Sequence, residues 1–325
     1  MSTIKEVAKR AGVSVGTVSK VINNIEVKPK TKQAVELAIK ELNYEPNTYA
    51  RGLKVNRTHT IALILPTVWH PFFGELAYHI EKQLRIQGYK MILCNSEGDY
   101  ITELSYLTMA KQNQVDGIIA ITYSDIEPYL SSTLPIISID RFFNDDIPYV
   151  SSDNFSGGYL AAKKLVEAGC KSLCFIGEGS LKENTTRNRK KGFISYCEQH
   201  HLVYQVYEEM GNHSKFMEYF DQFLSENIIH NRKIDGIFAV TDAYAYMIID
   251  RLQKKGIKIP DDVQVIGFDG IKQSKTDQIT ISTIRQPIEL IAKHAVKLIH
   301  LLVNKEPVEK EVVLPIEFVK GYTTK

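Results

Sequence analysis

Not one aspartate occurs in the first 57 residues, although the 325-residue chain holds 38 acidic side chains against 40 basic ones. That opening segment carries 11 Lys and Arg against 5 Glu, a net +6, and leaves −4 for the remainder. A small basic head on a mildly acidic body is the electrostatic footprint of a nucleic-acid-binding module joined to a domain with a different partner. Long apolar runs are missing as well. No stretch approaches the roughly 20 residues of a membrane span, and the polar N-terminus is no signal peptide, so a cytoplasmic protein without a membrane partner is expected. Cysteine is scarce: Cys94, Cys170, Cys174 and Cys197 form no C-x-x-C pair and read as reduced, mostly buried thiols. His200 and His201 beside Cys197 read as a solvated helix end, and neither a metal nor a cofactor is expected. No P-loop, H-E-x-x-H or complete G-x-G-x-x-G opens a helix, and Gly177-Glu178-Gly179 is only a fragment. The run GVSVG at 12–16 has the G-x-S-x-G spacing of a nucleophile elbow, but it follows a helix rather than a strand, so Ser14 is not expected to be catalytic. An enzyme is therefore not expected.

What is present at the N-terminus is two short helices and a tight turn. Thr3 and Glu6 form a T-x-x-E capping box, and Ile4, Val7, Ala8 and Ala11 repeat at helical spacing until Gly12. Ser14 is the natural N-cap of a second helix whose Val18, Val21 and Ile22 face inward, leaving Gly16, Thr17, Ser19, Lys20 and Asn23 for a partner. Such a helix can enter a major groove. Residues 30–43 give a third amphipathic helix with Val35, Ala38, Ile39 and Leu42 on one side.

The pattern I-x-x-V-A-x-x-A-x-V-S-x-x-T-V-S-x-V-I-N, followed by Y-x-P-N at Tyr44–Asn47 and A-R-x-L at Ala50–Leu53, resembles the lactose-repressor/galactose-repressor family of bacterial transcription factors. The likeness continues to the C-terminus. It implies a helix-turn-helix head over 1–46, a hinge helix and linker over 47–58, and an effector-binding and dimerising body over 59–325. The implied partners are a pseudo-palindromic double-stranded DNA operator, a small effector and a second copy of the chain. By the family's usage, base reading falls to Val15, Gly16 and Lys20, with Lys20 donating to guanine and Val15 touching a thymine methyl. Periodicity alone would also allow Val15 to pack inside the head. Thr3, Ser14, Thr17, Ser19, Asn23, Tyr44, Asn47, Arg51 and Lys54 complete the expected DNA-facing set, and Leu53 is the expected minor-groove wedge.

From residue 59 apolar strands alternate with amphipathic helices: TIALILP, a helix at 73–87, YKMILCN, 101–114, DGIIAIT, a helix near 126–131, LPIISID and YVSSD. A second set runs from a helix at 157–168 through SLCFIGE, 187–200, YQVYEE, 214–227, DGIFAVT, 243–255 and VQVIGFD, followed by a long helix at 287–303 and EVVLPIEFVKG. This implies two doubly wound parallel-sheet lobes. By likeness to periplasmic sugar-binding proteins the chain crosses between lobes near Gly157-Gly158, Arg285-Gln286 and Pro315. One lobe is then about 59–157 and 287–314, the other about 158–286 and 315–325.

Ligands of open parallel sheets bind beyond the carboxyl ends of the strands. Asp140, Asp153, Asp242 and Asp269 stand there, and carboxylates suit paired sugar hydroxyls, although an Asp in this position also serves as a helix N-cap, the favoured reading for Asp242. The resemblance adds Arg189 as the ligand-gripping arginine, with His70, Phe72, Phe73, His213, Thr241 and Gln286 around it. Phe72 reads equally as stacking platform or core. The run IDRFFNDDIPYVSSDNFSGG with IRQPIE is similar to sucrose-type repressors, so a sugar or sugar phosphate of β-fructoside type is the expected effector. A nucleobase corepressor, or a phosphorylated partner protein, is the alternative.

Overall fold

The computed structural model describes residues 2–23, 25–44, 57–112, 115–130, 134–179, 185–210, 213–230, 233–272 and 274–325, without the side chains of 209–210, 213–215, 217–218, 229 and 230. The chain divides into two compact units, Met1–Thr58 and His59–Lys325.

Among its described residues the first unit holds three helices: α1 (Ile4–Ala11), α2 (Val15–Ile22) and α3 (Pro29–Glu41). The sequence signals act as expected. Thr3 and Glu6 cap each other's backbone N–H, Gly12 closes α1 in the left-handed region at φ 65°, and the Ser14 side chain accepts from the Thr17 N–H at the start of α2. A capping side chain of this kind stabilises a helix by about 1 kcal/mol, which matters for helices this short. Val7, Ala8, Val18, Val21, Val35 and Ala38 make the core, with Ile4, Ile22, Ile39, Leu42 and Tyr44 packed against it. Arg10 pairs with Glu41 at 2.6 Å and ties α1 to α3.

The second unit is built on two sheets. In the first lobe β1 (Thr60–Leu65), α4 (Pro71–Ile86), β2 (Lys90–Asn95), α5 (Tyr100–Gln112), β3 (Gly117–Ala120), β4 (Ile136–Ile139) and β5 (Tyr149–Ser152) follow in order. In place of a helix near 126–131 there is one 3₁₀ turn, Glu127–Tyr129, because Pro128 and the few apolar residues there support no more. The second lobe has α6 (Asn154–Glu167), β6 (Ser172–Gly179), α7 (Arg187–Gln199), β7 (Val203–Met210), α8 (His213–Leu224), β8 (Gly236–Ala239), α9 (Asp242–Lys254), β9 (Gln264–Asp269) and β10 (Thr283–Arg285). Then α10 (Ile288–Val303) and β11 (Glu311–Leu314) return to the first lobe, and β12 (Glu317–Val319) to the second.

Among the described residues the strand orders are β11-β5-β4-β3-β1-β2 and β12-β10-β9-β8-β6-β7, parallel throughout except for β12 on β10. Central strands such as IISI and QVIGFD are buried at every position, as a sheet covered on both faces requires. Helix α10 packs Ile288, Ile291, Ala295 and Ile299 into the core of the first lobe, while α6 packs Ala161, Ala162 and Leu165 against Phe175, Phe193 and Phe268 in the second. The first passage between lobes therefore lies at Asp153, ahead of the Gly157-Gly158 pair expected to mark it; those glycines sit inside α6. Their role is steric. A Cβ on Gly158 would stand 1.8 Å from the Arg189 carbonyl oxygen, and one on Gly192 1.9 Å from that of Phe155, so α6 and α7 approach backbone to backbone. No helix among the described residues is long and apolar enough to cross a membrane.

Candidate functional site

Between the carboxyl ends of the two sheets the second unit encloses a group of buried polar side chains. Arg189, 3% exposed, enters from α7. Its Nε donates to Asn154 Oδ1 at 2.7 Å, and its Nη1 donates to the Val240 carbonyl at 2.8 Å and pairs with Asp269 at 3.4 Å. The guanidinium lies 3.6 Å from the centre of the Phe268 ring, a desolvated cation–π contact worth about 2 kcal/mol. Asp269 also accepts from Gln286 Nε2 at 2.8 Å, and Gln286 in turn accepts from the Ser152 hydroxyl, which links the lobes. The Thr185 hydroxyl donates to the Asp140 carbonyl at 2.9 Å and makes a second link.

Asp140 and Asp269 are both held in the left-handed region, at φ 57° and 113°. A non-glycine residue there costs on the order of 1–3 kcal/mol and persists where the surroundings over-determine it, commonly at a ligand site. Asp140 is buried, at 5% exposure, and one of its carboxylate oxygens, Oδ1, has no hydrogen-bond partner. Burial pushes its pKa up to about 6; Arg189 pulls the other way and Asp269 adds to the rise. His70 Nδ1, ahead of α4, is likewise buried without a partner. A buried polar atom left unpaired costs about 1–3 kcal/mol, so these two mark places where a bound molecule can restore hydrogen bonds.

Other expected residues are differently placed. Asp153 caps α6 by accepting from the Ser156 N–H. The N-cap of α9 is Thr241, not Asp242: the extended backbone of Thr241 presents its hydroxyl to the Tyr244 N–H. Asp242 is the next residue, fully buried, accepting from the Thr283 hydroxyl at 2.6 Å and the Ile271 N–H at 2.8 Å. Burial and the nearby Asp269 charge push its pKa up to about 8. Its oxygens thus brace the loop after Asp269. Phe72 is core at 4% exposure, and Phe73 packs against that core and against the His70 ring. The side chain of His213 lies outside the described residues. Sequence reasoning passed over Asn154, Phe268 and Tyr123. The first two touch Arg189 directly, and the phenol of Tyr123 feels the charges of Asp140, Arg189 and Asp269. Tyr123 follows a strand end, the signal that could have found it.

In the first unit Ser14, Val15 and Gly16 at the start of α2 and Lys20 in its last turn are exposed, and Val15 is 39% exposed, so it is not core. Thr17, Ser19 and Asn23 are half-buried beside them, with Asn23 donating to Ser19. Thr3 is committed to its cap and Tyr44 to the head core. Asn47, Arg51, Leu53 and Lys54 lie outside the described residues.

Residues 3–47 match the pattern of the bacterial regulatory proteins of the lacI family, and residues 162–324 that of the periplasmic binding protein-like domain. The sucrose operon repressor of Pediococcus pentosaceus is 37% identical over 327 residues, covering 98% of each chain. The chain belongs to the LacI family. It is a DNA-binding transcriptional regulator of repressor type, with a helix-turn-helix head and a periplasmic-binding-protein-like body. The ribose operon repressor of Bacillus subtilis is a LacI-family relative 34% identical over 100% of this chain and 99% of its own. A solved LacI-type regulator from Alkaliphilus metalliredigens, in complex with D-xylulofuranose, is 31% identical over 82% of this chain and 99% of its own, with a TM-score of 0.74.

Proposed function

We propose that this regulator is a cytoplasmic, homodimeric repressor of a carbohydrate-use operon, and that a furanose-containing sugar in the chamber between the lobes controls its hold on operator DNA. The observation that carries the ligand reading is the chamber itself: Arg189 paired with Asp269, and the unpartnered atoms Asp140 Oδ1 and His70 Nδ1 in buried surroundings. Carboxylates accept from vicinal hydroxyls, and a guanidinium presents donors in a rigid fork, so the set suits a polyhydroxylated molecule. The names of the relatives, sucrose and ribose repressors, and the D-xylulofuranose of the Alkaliphilus regulator support the furanose class. Division into a head to residue 46, a hinge over 47–58 and a two-lobed body belongs to the same reading.

Regulation is supported by Ser14, whose hydroxyl oxygen accepts from the Thr17 N–H and so caps α2. Dimerisation follows from reading: one helix of eight residues spans a half-site, and two copies on a near-palindrome multiply specificity. The test is thermal shift with sucrose, D-fructose and D-ribose beside an operator gel shift. A cognate sugar at about 100 times its Kd adds about 2.7 kcal/mol of stability and changes operator affinity. Stabilisation by nucleobases alone would contradict the sugar reading.

A further inference from the structure

The first half of the loop from β9 to β10 carries a single large apolar side chain: after Asp269 come Gly270, Ile271, Lys272, Gln273, Ser274 and Lys275. A polar surface segment of this kind leaves its side chains in water, yet Ile271 is 5% exposed. The lobe that buries it is not its own. Among the described residues Ile271 belongs to the core of the first lobe, with Phe72, Leu76 and Ile288, and no other buried member of that core comes from the second lobe.

The backbone that presents Ile271 is held by the second lobe. The Ile271 N–H donates to Asp242 Oδ2 at 2.8 Å, the Gly270 N–H donates to the Thr283 hydroxyl at 3.3 Å, and that hydroxyl donates to Asp242 Oδ1 at 2.6 Å. Gly270 stands at φ 71°, and a Cβ there would lie 2.5 Å from Arg285 Cγ, so the turn admits only glycine. It starts at a chamber carboxylate, Asp269, and two residues later reaches the opposite lobe. Two further contacts run the same way. Lys275 Nζ donates to the hydroxyl of Tyr78 on α4 at 3.4 Å, and Tyr246 of α9 packs against the cores of both lobes. An apolar side chain seated in the core of another lobe is out of water only while the two lobes stay together, so it favours their closure with or without a ligand.

We propose that Ile271 is a latch between the lobes: seated in the core of the first, it holds Asp269 in the chamber and favours the closed arrangement that the effector needs. It is a positioning residue, acting on the effector through Asp269 and the lobe angle. The effect on the effector rests on the sugar reading of the chamber, whereas the latch itself does not. A ligand binds more weakly in proportion as its competent arrangement is less populated, so loosening the latch raises the apparent Kd without removing any group of the chamber.

The test has one arm without ligand and one with it. In the ligand-free full-length protein a bismaleimide joins Tyr78→Cys to Lys275→Cys within one chain, the four native cysteines being buried. Adding Ile271→Ala slows this cross-link about tenfold, and adding Ile271→Val leaves it near the starting rate. Calorimetry with sucrose, D-fructose and D-ribose, on chains with native Tyr78 and Lys275, gives the same order: Ile271→Ala weakens the bound sugar about tenfold, and Ile271→Val has little effect. Arg189→Ala loses sugar and cross-links at the starting rate, which separates the chamber from the latch. Equal cross-linking of Ile271→Ala and its parent overturns the latch, and so does an unchanged sugar affinity in folded Ile271→Ala. A lowered Tm with neither readout moved makes Ile271 plain core and overturns it as well. If wild type ignores all three sugars, the sugar reading alone fails, and the cross-linking rate still decides the latch.

Discussion

Asp140 and Asp269 occupy matching places in the two lobes: each follows or ends the third strand of its sheet, counted from β11 or β12, and each takes a left-handed backbone. Of these two carboxylates Arg189 pairs with that of Asp269, at 3.4 Å. Arg189 pulls the Asp140 pKa down, but burial, joined by the Asp269 charge, outweighs it and holds the value at about 6.

That imbalance predicts a pH dependence. A carboxyl whose folded pKa lies above its unfolded value binds its proton more tightly when folded, so it favours the folded state at low pH and weakens it as pH rises through the folded value. For Asp140 the window is from the ordinary value of 3.8 to about 6, and for Asp242 from 3.8 to about 8. Thermal melts of the ligand-free protein should show Asp140→Asn more stable than wild type at pH 7, by up to about 3 kcal/mol, with the difference vanishing toward pH 4. A constant offset across that range would mean that the Asp140 charge is not what costs stability.

Gly158 should tolerate no side chain. An alanine Cβ there meets the Arg189 carbonyl at 1.8 Å, so α7 must shift and carry Arg189 with it. Gly158→Ala is expected to lower Tm by several degrees, the effect of overpacking by about 1–3 kcal/mol, and to weaken sugar binding in the fraction that folds. Unchanged melting and binding would show that the two helices can separate freely.

In the head, Lys20→Ala should relax preference at one base pair in each half-site, costing about 1–3 kcal/mol there and little at other positions. Competition gel shifts with single-base operator variants measure this. A uniform loss over all variants makes Lys20 a phosphate contact instead.

Much of this architecture was legible because its signals are local. The Thr3–Glu6 box, the Ser14 cap and the alternation of buried strands with amphipathic helices are written in neighbouring residues, and strand-terminal Asp140 and Asp269 follow from them. What was not legible depends on distant partners. Asp242 reads as a cap until Thr283 and Ile271 are seen to take its oxygens, 41 and 29 residues away in sequence. Asn154 and Phe268 become part of the site only because α6, α7 and β9 converge on one guanidinium. The glycine pair was misplaced as a crossing for the same reason: its meaning lies in the helix packed against it.

The central claim is that the chamber senses and the head reads, each with its own residues. Operator affinity of Arg189→Ala, measured with and without sucrose beside wild type, tests it most directly. Among the described residues Arg189 bonds within the second unit, at Asn154, Val240 and Asp269, so the variant should bind operator as wild type does in the absence of sugar and show no change on adding it. A folded variant whose operator affinity still responds to sucrose as wild type does would contradict the account.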